Sequence, residues 1–381
     1  MKRKLKDCCT IIAGQSPESK YYNTDGQGLP FFQGKADFGE LYPSIRVYCS
    51  QPTKIAEKDD ILLSVRAPVG PTNLAPCRVC IGRGLTAIRP SEDLLTRYVL
   101  LFFRYFEAQL AAKGTGTTFK AVTQDIVKNL EIPVPSLQEQ ERLVARTDEL
   151  FSELDAGVDT LQKIKQQLSV YRQTVLKDAF ACFTDKEPIS KCSVFVTSGS
   201  RGWAKYYADT GARFVRITDL TRYGIELQDK EIQYVLLPEN AEGKRSRLVP
   251  NDVLISITAD LGSIALVPET IGEAYINQHI AMVRFYDPAL GKFMAWYLRS
   301  DYGQKELLRN KRGNGKMGLG LDDIRQTLVP VIDRVEAHKT VETIEKRLSV
   351  CDSIQQTVDQ ALQQSVAMRQ SVLKQAFEGG L

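Results

Sequence analysis

The chain has 381 residues, 43% of them hydrophobic, and a formal net charge of +4. That length exceeds one ordinary core and predicts two globular domains of normal composition. No apolar run reaches the roughly 18 residues that a membrane span needs, and MKRKLKDCC has no apolar segment behind it, so no membrane partner and a cytoplasmic location are expected.

Short alternating apolar runs broken by Gly, Pro, Asn and Asp fill residues 1 to 90 and predict strands, with ILLSV and LTAIR as examples. A helical stretch, LLTRYVLLFFRYFEAQLAAK, follows, and then the glycine-rich KGTGTTFK. After Pro133 and Pro135 the period changes. Leu137, Val144, Phe151 and Val158 lie seven apart, interleaved with Thr147, Leu154, Leu161, Leu168 and Val175. This heptad pattern predicts a coiled-coil helix, with Ser136 as its N-cap.

The order then repeats. RFVRI, DVLISI and IAMVRF predict strands within residues 188 to 290, KFMAWYLRSDYGQKELLRN a helical stretch, and RNKRGNGK a second glycine-rich segment. A second heptad helix is expected from about Val335 to Phe377. Ile344, Cys351, Val358 and Val372 form one track, and Val341, Leu348 and Leu362 the other, with Gln355 and Ser365 interrupting it.

The duplication is explicit. YRQTVLKDAF at 171 to 180 returns as MRQSVLKQAF 197 positions later, and at the same offset Asp155 falls on Asp352, Val144 on Val341 and Pro133 on Pro330. DDILLSVRAPVG pairs with NDVLISITADLG, and CIGRGLTAIRP with YINQHIAMVRF. A helix of about 44 residues would be roughly 65 Å long and must pair through its apolar stripe. Its own repeat is the nearest partner, giving antiparallel helices in a pseudo-two-fold α+β molecule; a coiled coil between chains is the other possibility. The expected divisions are a first globule at 1–136, a helix at 137–181, a second globule at 182–332 and a helix at 333–381.

Catalytic signatures are absent. GNGKM lacks the spacing of a phosphate-binding loop, no GxGxxG opens a helix after a strand, and no Asn-Pro-Pro-aromatic or Asp-Pro-Pro-Tyr methylase tetrapeptide occurs. His279, in a strand-like run, and His338, at a helix start, read as structural or polar contacts. Among the eight cysteines, Cys8 and Cys9 are adjacent and Cys77 and Cys80 form one CxxC, but the second half offers only Cys192 opposite Cys8. Buried, reduced thiols and no metal are expected, with a structural zinc as the lesser alternative.

ILLSVRAPVGPTNLA, IGRGLTAIRP, GTGTTFKAVTQDIVKNLEIPVPSLQEQERLV and the closing RQSVLKQAFEGGL together resemble the specificity subunit of type I restriction–modification enzymes, over essentially the whole chain. The second globule departs from this pattern, having ITADLG for VRAPVG and no GRG triplet. The resemblance implies two target recognition domains, spacer helices that also dock methyltransferase (M) subunits, two of them, and restriction/translocase (R) subunits. It implies double-stranded DNA as the ligand and no cofactor in this chain, with S-adenosylmethionine, ATP and Mg on the partner subunits. A chain of this kind is a non-catalytic reader of a bipartite, asymmetric target.

Cations and amide or hydroxyl side chains on glycine-rich or turn segments suit phosphates and base edges. The candidates in the first half are Gln33, Lys35, Arg66, Arg83, Thr117, Thr118 and Lys120, with Arg66 and Arg83 foremost. Those in the second half are Arg201, Lys205, Arg216, Thr218, Thr258, Gln278, Lys311, Arg312 and Lys316. Tyr21, Tyr22, Trp203, Tyr206 and Tyr207 read as core. Two other readings stay open: the recognition subunit of a related restriction enzyme whose methylation and cleavage partner is fused, and a coiled-coil protein-interaction scaffold.

Overall fold

The computed structural model describes residues 2–114, 121–199, 201–238, 244–309 and 318–379. It divides into two units, one of Met1–Gln162 with Asp359–Leu381 and one of Lys163–Val358. Both are α+β.

The first unit opens with β1 (Lys2–Lys4), β2 (Cys9–Ala13), β3 (Tyr22–Asn23), β4 (Leu29–Phe32) and β5 (Tyr48–Cys49). It continues with β6 (Ile55–Ala56), β7 (Ile61–Ser64), β8 (Thr72–Leu74), β9 (Val79–Ile81) and β10 (Leu85–Pro90). Helices α1 (Thr96–Ala112) and α2 (Gln124–Lys128), strand β11 (Glu131–Pro133) and the long α3 (Leu137–Phe180) follow. The strands form an antiparallel sheet ordered β2-β10-β7-β8 and a second sheet ordered β3-β5-β4-β9-β6, in which β4 and β9 run parallel.

The second unit repeats the plan. It contains β12 (Lys186–Pro188), α4 (Ile189–Cys192), β13 (Ser193–Ser198), β14 (Tyr207–Ala208), β15 (Ala212–Val215) and β16 (Tyr234–Val235). Then come β17 (Val253–Ser256), β18 (Ile264–Leu266), β19 (Ala274–Ile276) and β20 (Ile280–Phe285). Helices α5 (Gly291–Arg299), α6 (Asp301–Leu307) and α7 (Leu321–Gln326), strand β21 (Leu328–Pro330) and the long α8 (Arg334–Glu378) complete it. Its four-stranded sheets are β13-β20-β17-β18 and β14-β16-β15-β19, again with one parallel pair, β15 with β19.

The near-continuous apolar strands have a geometric cause. Side chains alternate across a strand, so a strand covered on both faces must be apolar throughout. Ile61 and Leu63 enter one core of the first unit and Leu62 the other; Val253 and Ile255 enter one core of the second and Leu254 the other. Each such residue contributes about 1.5–3 kcal/mol by leaving water.

Turn chemistry explains DDILLS and NDVLIS. Asp59 and Asn251 stand at φ 65° and φ 67°, left-handed positions that Asp and Asn tolerate best. The following carboxylates are buried: Asp60 accepts from the Glu57 N–H at 2.8 Å and pairs with Arg89 at 2.7 Å, and Asp252 does the same with the Val249 N–H at 2.9 Å and Arg284 at 2.7 Å.

The predicted helical stretches differ between copies. The first is the single α1, whereas the second breaks into α5 and α6 because the Ser300 hydroxyl accepts from the Gly303 N–H and starts a new helix. The long helices are 44 and 45 residues, with Ser136 accepting from the Glu139 N–H and Asp333 from the Glu336 N–H at their starts.

Within the first unit Phe151 of α3 packs with Leu373 of α8 and Leu101 of α1; within the second, Val175, Leu176 and Phe180 of α3 share a core with Val341, Ile344 and Leu348 of α8. The two helices run antiparallel where they meet in each unit, Asp155 pairing with Arg369 and Arg172 with Asp352. Leu137, expected on the seam, is 43% exposed because it occupies the first helical turn, beyond the packed stretch.

Candidate nucleic-acid interface

In the first unit the sheets bring Gln33, Lys35, Arg66 and Arg83 to one concave surface of about 530 Å³. Gln33 and Lys35 follow the end of β4, Arg66 follows β7, and Arg83 lies in the turn between β9 and β10. A second hollow of about 300 Å³ shares Arg66 and Arg83 and adds Thr123 and Gln124, so the two arginines stand on the ridge between them.

Among the described residues, no Asp or Glu lines either hollow. Neighbouring arginines are neutralised by carboxylates, as Arg46 is by Asp37, Arg89 by Asp60 and Arg97 by Asp148, but Lys35, Arg66 and Arg83 form no salt bridge among the described residues. Three exposed cations around a carboxylate-free hollow make a local anion-attracting field.

Glycine builds the tight part of this surface. A Cβ on Gly84 would lie 2.3 Å from the Gln33 carbonyl oxygen, so only glycine lets the Arg83 turn lie directly on the end of β4. The Gly82 N–H donates to the Phe32 carbonyl and the Val65 N–H to the Gly84 carbonyl, fixing the turn against β4 and β7.

The second unit places its own residues at the same nodes. The Asn277 N–H donates to the Val215 carbonyl and the Ile257 N–H to the His279 carbonyl, the counterparts of the two bonds that hold the GRG turn. Gln278 therefore takes the place of Arg83, and His279 that of Gly84. Thr258 takes the place of Arg66, since each forms an isolated bridge, Thr258 with Gly318 and Arg66 with Ala121. Arg216 and Thr218 follow β15 as Gln33 and Lys35 follow β4.

This second surface is less cationic. Arg216 donates to the Glu231 carbonyl at 2.7 Å, which turns it partly to the backbone, and Thr218 lies 3.4 Å from the Asp219 carboxylate. Asp260, in the loop that replaces APVG, is paired with Arg222, whose hydrogen bond holds the carboxyl below its ordinary range. Thr258 and Gln278 both bond the His279 ring, at 2.6 Å and 2.9 Å.

Other candidates fall elsewhere. Arg201 lies exposed in the segment before Trp203, and Lys205 sits over the Tyr206 ring at 4.9 Å. Thr117, Thr118, Lys120, Lys311, Arg312 and Lys316 lie outside the described residues. Tyr22 stacks on Phe31 at 4.6 Å and Trp203 on Phe214 at 5.5 Å, whereas Tyr207 is 45% exposed.

His279, expected to be a structural or polar contact, joins Thr258 to Gln278. It occupies a turn before β20 rather than a strand, because Asn277 accepts from its N–H at 3.0 Å and bends the chain there. The signal was present in the alignment of CIGRGL with YINQHI, which sets His279 opposite Gly84.

The cysteines take no part. Cys8, Cys49, Cys80 and Cys351 are buried, burial pushes the Cys192 thiol up to about 11, and among the described residues no cluster of three or more His, Cys, Asp or Glu could hold a metal. No helix among the described residues is long and apolar enough to cross a membrane.

Comparison with known proteins adds family likeness. Residues 1–169 match the family described as Type I restriction modification DNA specificity domain. A protein of Methanocaldococcus jannaschii assigned as the MjaX type I restriction enzyme specificity subunit is 37% identical over 167 residues, covering 44% of this chain and 38% of its own. The Escherichia coli type I restriction enzyme EcoBI specificity subunit is 23% identical over 303 residues, covering 71% of this chain and 62% of its own. The chain thus spans less than two thirds of either relative. A crystal structure of the HsdS subunit from Thermoanaerobacter tengcongensis is 46% identical where it aligns, covering 41% of this chain and 38% of its own, with a TM-score of 0.39.

Proposed function

We propose that the chain is a member of the type I restriction–modification specificity subunit family, a reading supported by its match over residues 1–169, and that it is the non-catalytic subunit that recognises double-stranded DNA. Its two surfaces read the two unlike halves of a bipartite target. Residues 1–136 and 182–332 serve as target recognition domains; residues 137–181 and 333–381 are the helical spacer. The partners are two methyltransferase subunits, which bring S-adenosylmethionine, and restriction/translocase subunits, which bring ATP and Mg.

One observation carries this reading: Arg66 and Arg83 in one unit, and Thr258 and Gln278 in the other, occupy the same nodes of a duplicated frame. Two copies of one scaffold bearing different polar groups suit two different half-sites. Unpaired cations of the first surface suit phosphates or the O6 and N7 of guanine, the edge an arginine reads best. If Lys35, Arg66 and Arg83 each neutralise a phosphate, the first surface alone adds about −2.7 to the slope of log affinity against log salt, at roughly −0.9 per phosphate.

The test offers randomised duplexes to the chain together with its methyltransferase partner. Enrichment of a two-part motif separated by a fixed gap is expected. Binding without any enriched motif would overturn the reading and leave the protein-interaction scaffold.

A further inference from the structure

Resting on that reading, we propose that His279 is a specificity-determining positioning residue: it fixes Gln278 so that the amide oxygen faces outward and reads an exocyclic amino group, N6 of adenine or N4 of cytosine, at one position of the second half-site.

The hydrogen bonds dictate the direction. The Gln278 Nε2 lies 2.9 Å from the His279 Nε2, and an amide nitrogen only donates, so that ring nitrogen accepts. The ring proton is then on Nδ1, which donates to the Thr258 Oγ1 at 2.6 Å. The ring itself is held by its backbone: the His279 N–H donates to Asn277 Oδ1 at 3.0 Å and its carbonyl accepts from the Ile257 N–H at 2.9 Å. Thr258 is fixed in turn by its bridge to Gly318.

One of the two Nε2 hydrogens is held by the histidine, which leaves Oε1 on the side of the amide away from the ring, and we assign that oxygen to the ligand. In the major groove an acceptor finds its partners in the amino groups of adenine and cytosine, whereas guanine and thymine present acceptors there. The first unit has no such relay, because Gly84 stands where His279 stands and Arg83 is free to donate. Thr258, Gln278 and His279 are each part-exposed, at the same node as the Arg66 and Arg83 surface.

The relay makes an unusual demand on Thr258. Replacing it by valine removes the acceptor for Nδ1–H, and an orphaned donor is costly. The ring proton moves to Nε2, donates to Gln278 Oε1, and turns the amide so that its NH2 faces outward. The preferred bases then change from adenine or cytosine to guanine or thymine.

The experiment sequences randomised duplexes enriched by the chain with its methyltransferase partner, for the unaltered protein and for Thr258→Val, His279→Ala and Gln278→Glu. The unaltered protein is expected to select adenine or cytosine at one position. Thr258→Val should switch that position to guanine or thymine, and His279→Ala should weaken its preference about tenfold, the scale of one lost base contact. Gln278→Glu, which can only accept, should keep adenine or cytosine, and it tests that residue 278 reads this position through an acceptor even where the other variants fold poorly. Retention of the first half-site motif reports that each variant is folded. An unchanged second half-site in Thr258→Val and His279→Ala, or a switch to guanine or thymine in Gln278→Glu, would overturn the inference. Absence of any motif in the unaltered protein would instead overturn the DNA-reading function on which it rests.

Discussion

Arg172 on α3 holds Asp352 on α8 at 2.5 Å. Moving 197 positions along the repeat turns Arg172 into Arg369 and relates Asp352 to Asp155, and these two are also paired. The ion pairs are one interaction with its partners exchanged between copies. Each lies inside its own unit. The pair Arg97–Asp148 recurs likewise as Lys292–Glu345, tying each globule to the helix beside it.

The exchanged pair predicts a charge-swap result. Asp352 is 69% exposed and Arg172 23%, so the interaction contributes no more than about 1 kcal/mol. Arg172→Asp should lower the urea midpoint slightly, and adding Asp352→Arg should restore most of it. The same should hold for Arg369→Asp with Asp155→Arg. Additive losses in both double variants would contradict the pairing.

The buried carboxylates are more demanding. Asp252 is 1% exposed and bonded to both Arg284 and the Val249 N–H. Asp252→Ala should cost about 3–5 kcal/mol, because it leaves a guanidinium and an N–H without their partner. A loss below about 1 kcal/mol in urea unfolding would show that water replaces the carboxylate without penalty.

The two copies also trade volume at one pair of equivalent positions. Leu101 with Phe151 in the first unit corresponds to Trp296 with Leu348 in the second, both pairs being buried between a globular helix and a long one. Trp296→Leu should destabilise by about 2 kcal/mol through the space it leaves. Adding Leu348→Phe should recover more than half. No recovery would mean that the space collapses differently in the two copies.

Much of this was legible in the sequence. The repeat, the strands around ILLSV and DVLISI, and the helix limits near Ser136 and Phe180 follow from local patterns. The grouping of Gln33, Lys35, Arg66 and Arg83 does not, because the β4–β9 parallel pair that assembles it joins strands about fifty residues apart. The sequence marks His279 only as a structural or polar contact, since a lone histidine carries no pattern; its partners are Thr258 and Gln278, one of them 21 positions away.

The spacer has a matched test. Because α3 and α8 are paired in both units, an insertion in one helix alone breaks register. Seven residues added after Gln162 and seven after Val358 would extend both helices by about 10 Å, or roughly three base pairs. The preferred gap should lengthen by about three base pairs with each half-site unchanged, as read from enriched duplexes. An unchanged gap would remove the ruler role.

The central claim is that two equivalent surfaces read two unlike half-sites. Its most direct measurement is the two-part motif enriched by the chain with its methyltransferase partner, compared between Arg66→Ala with Arg83→Ala and Thr258→Val with Gln278→Leu. The first pair of changes should erase preference in one half-site and spare the other, and the second pair should do the reverse. If either pair degraded both half-sites equally, or neither altered the motif, these surfaces would not be the readers.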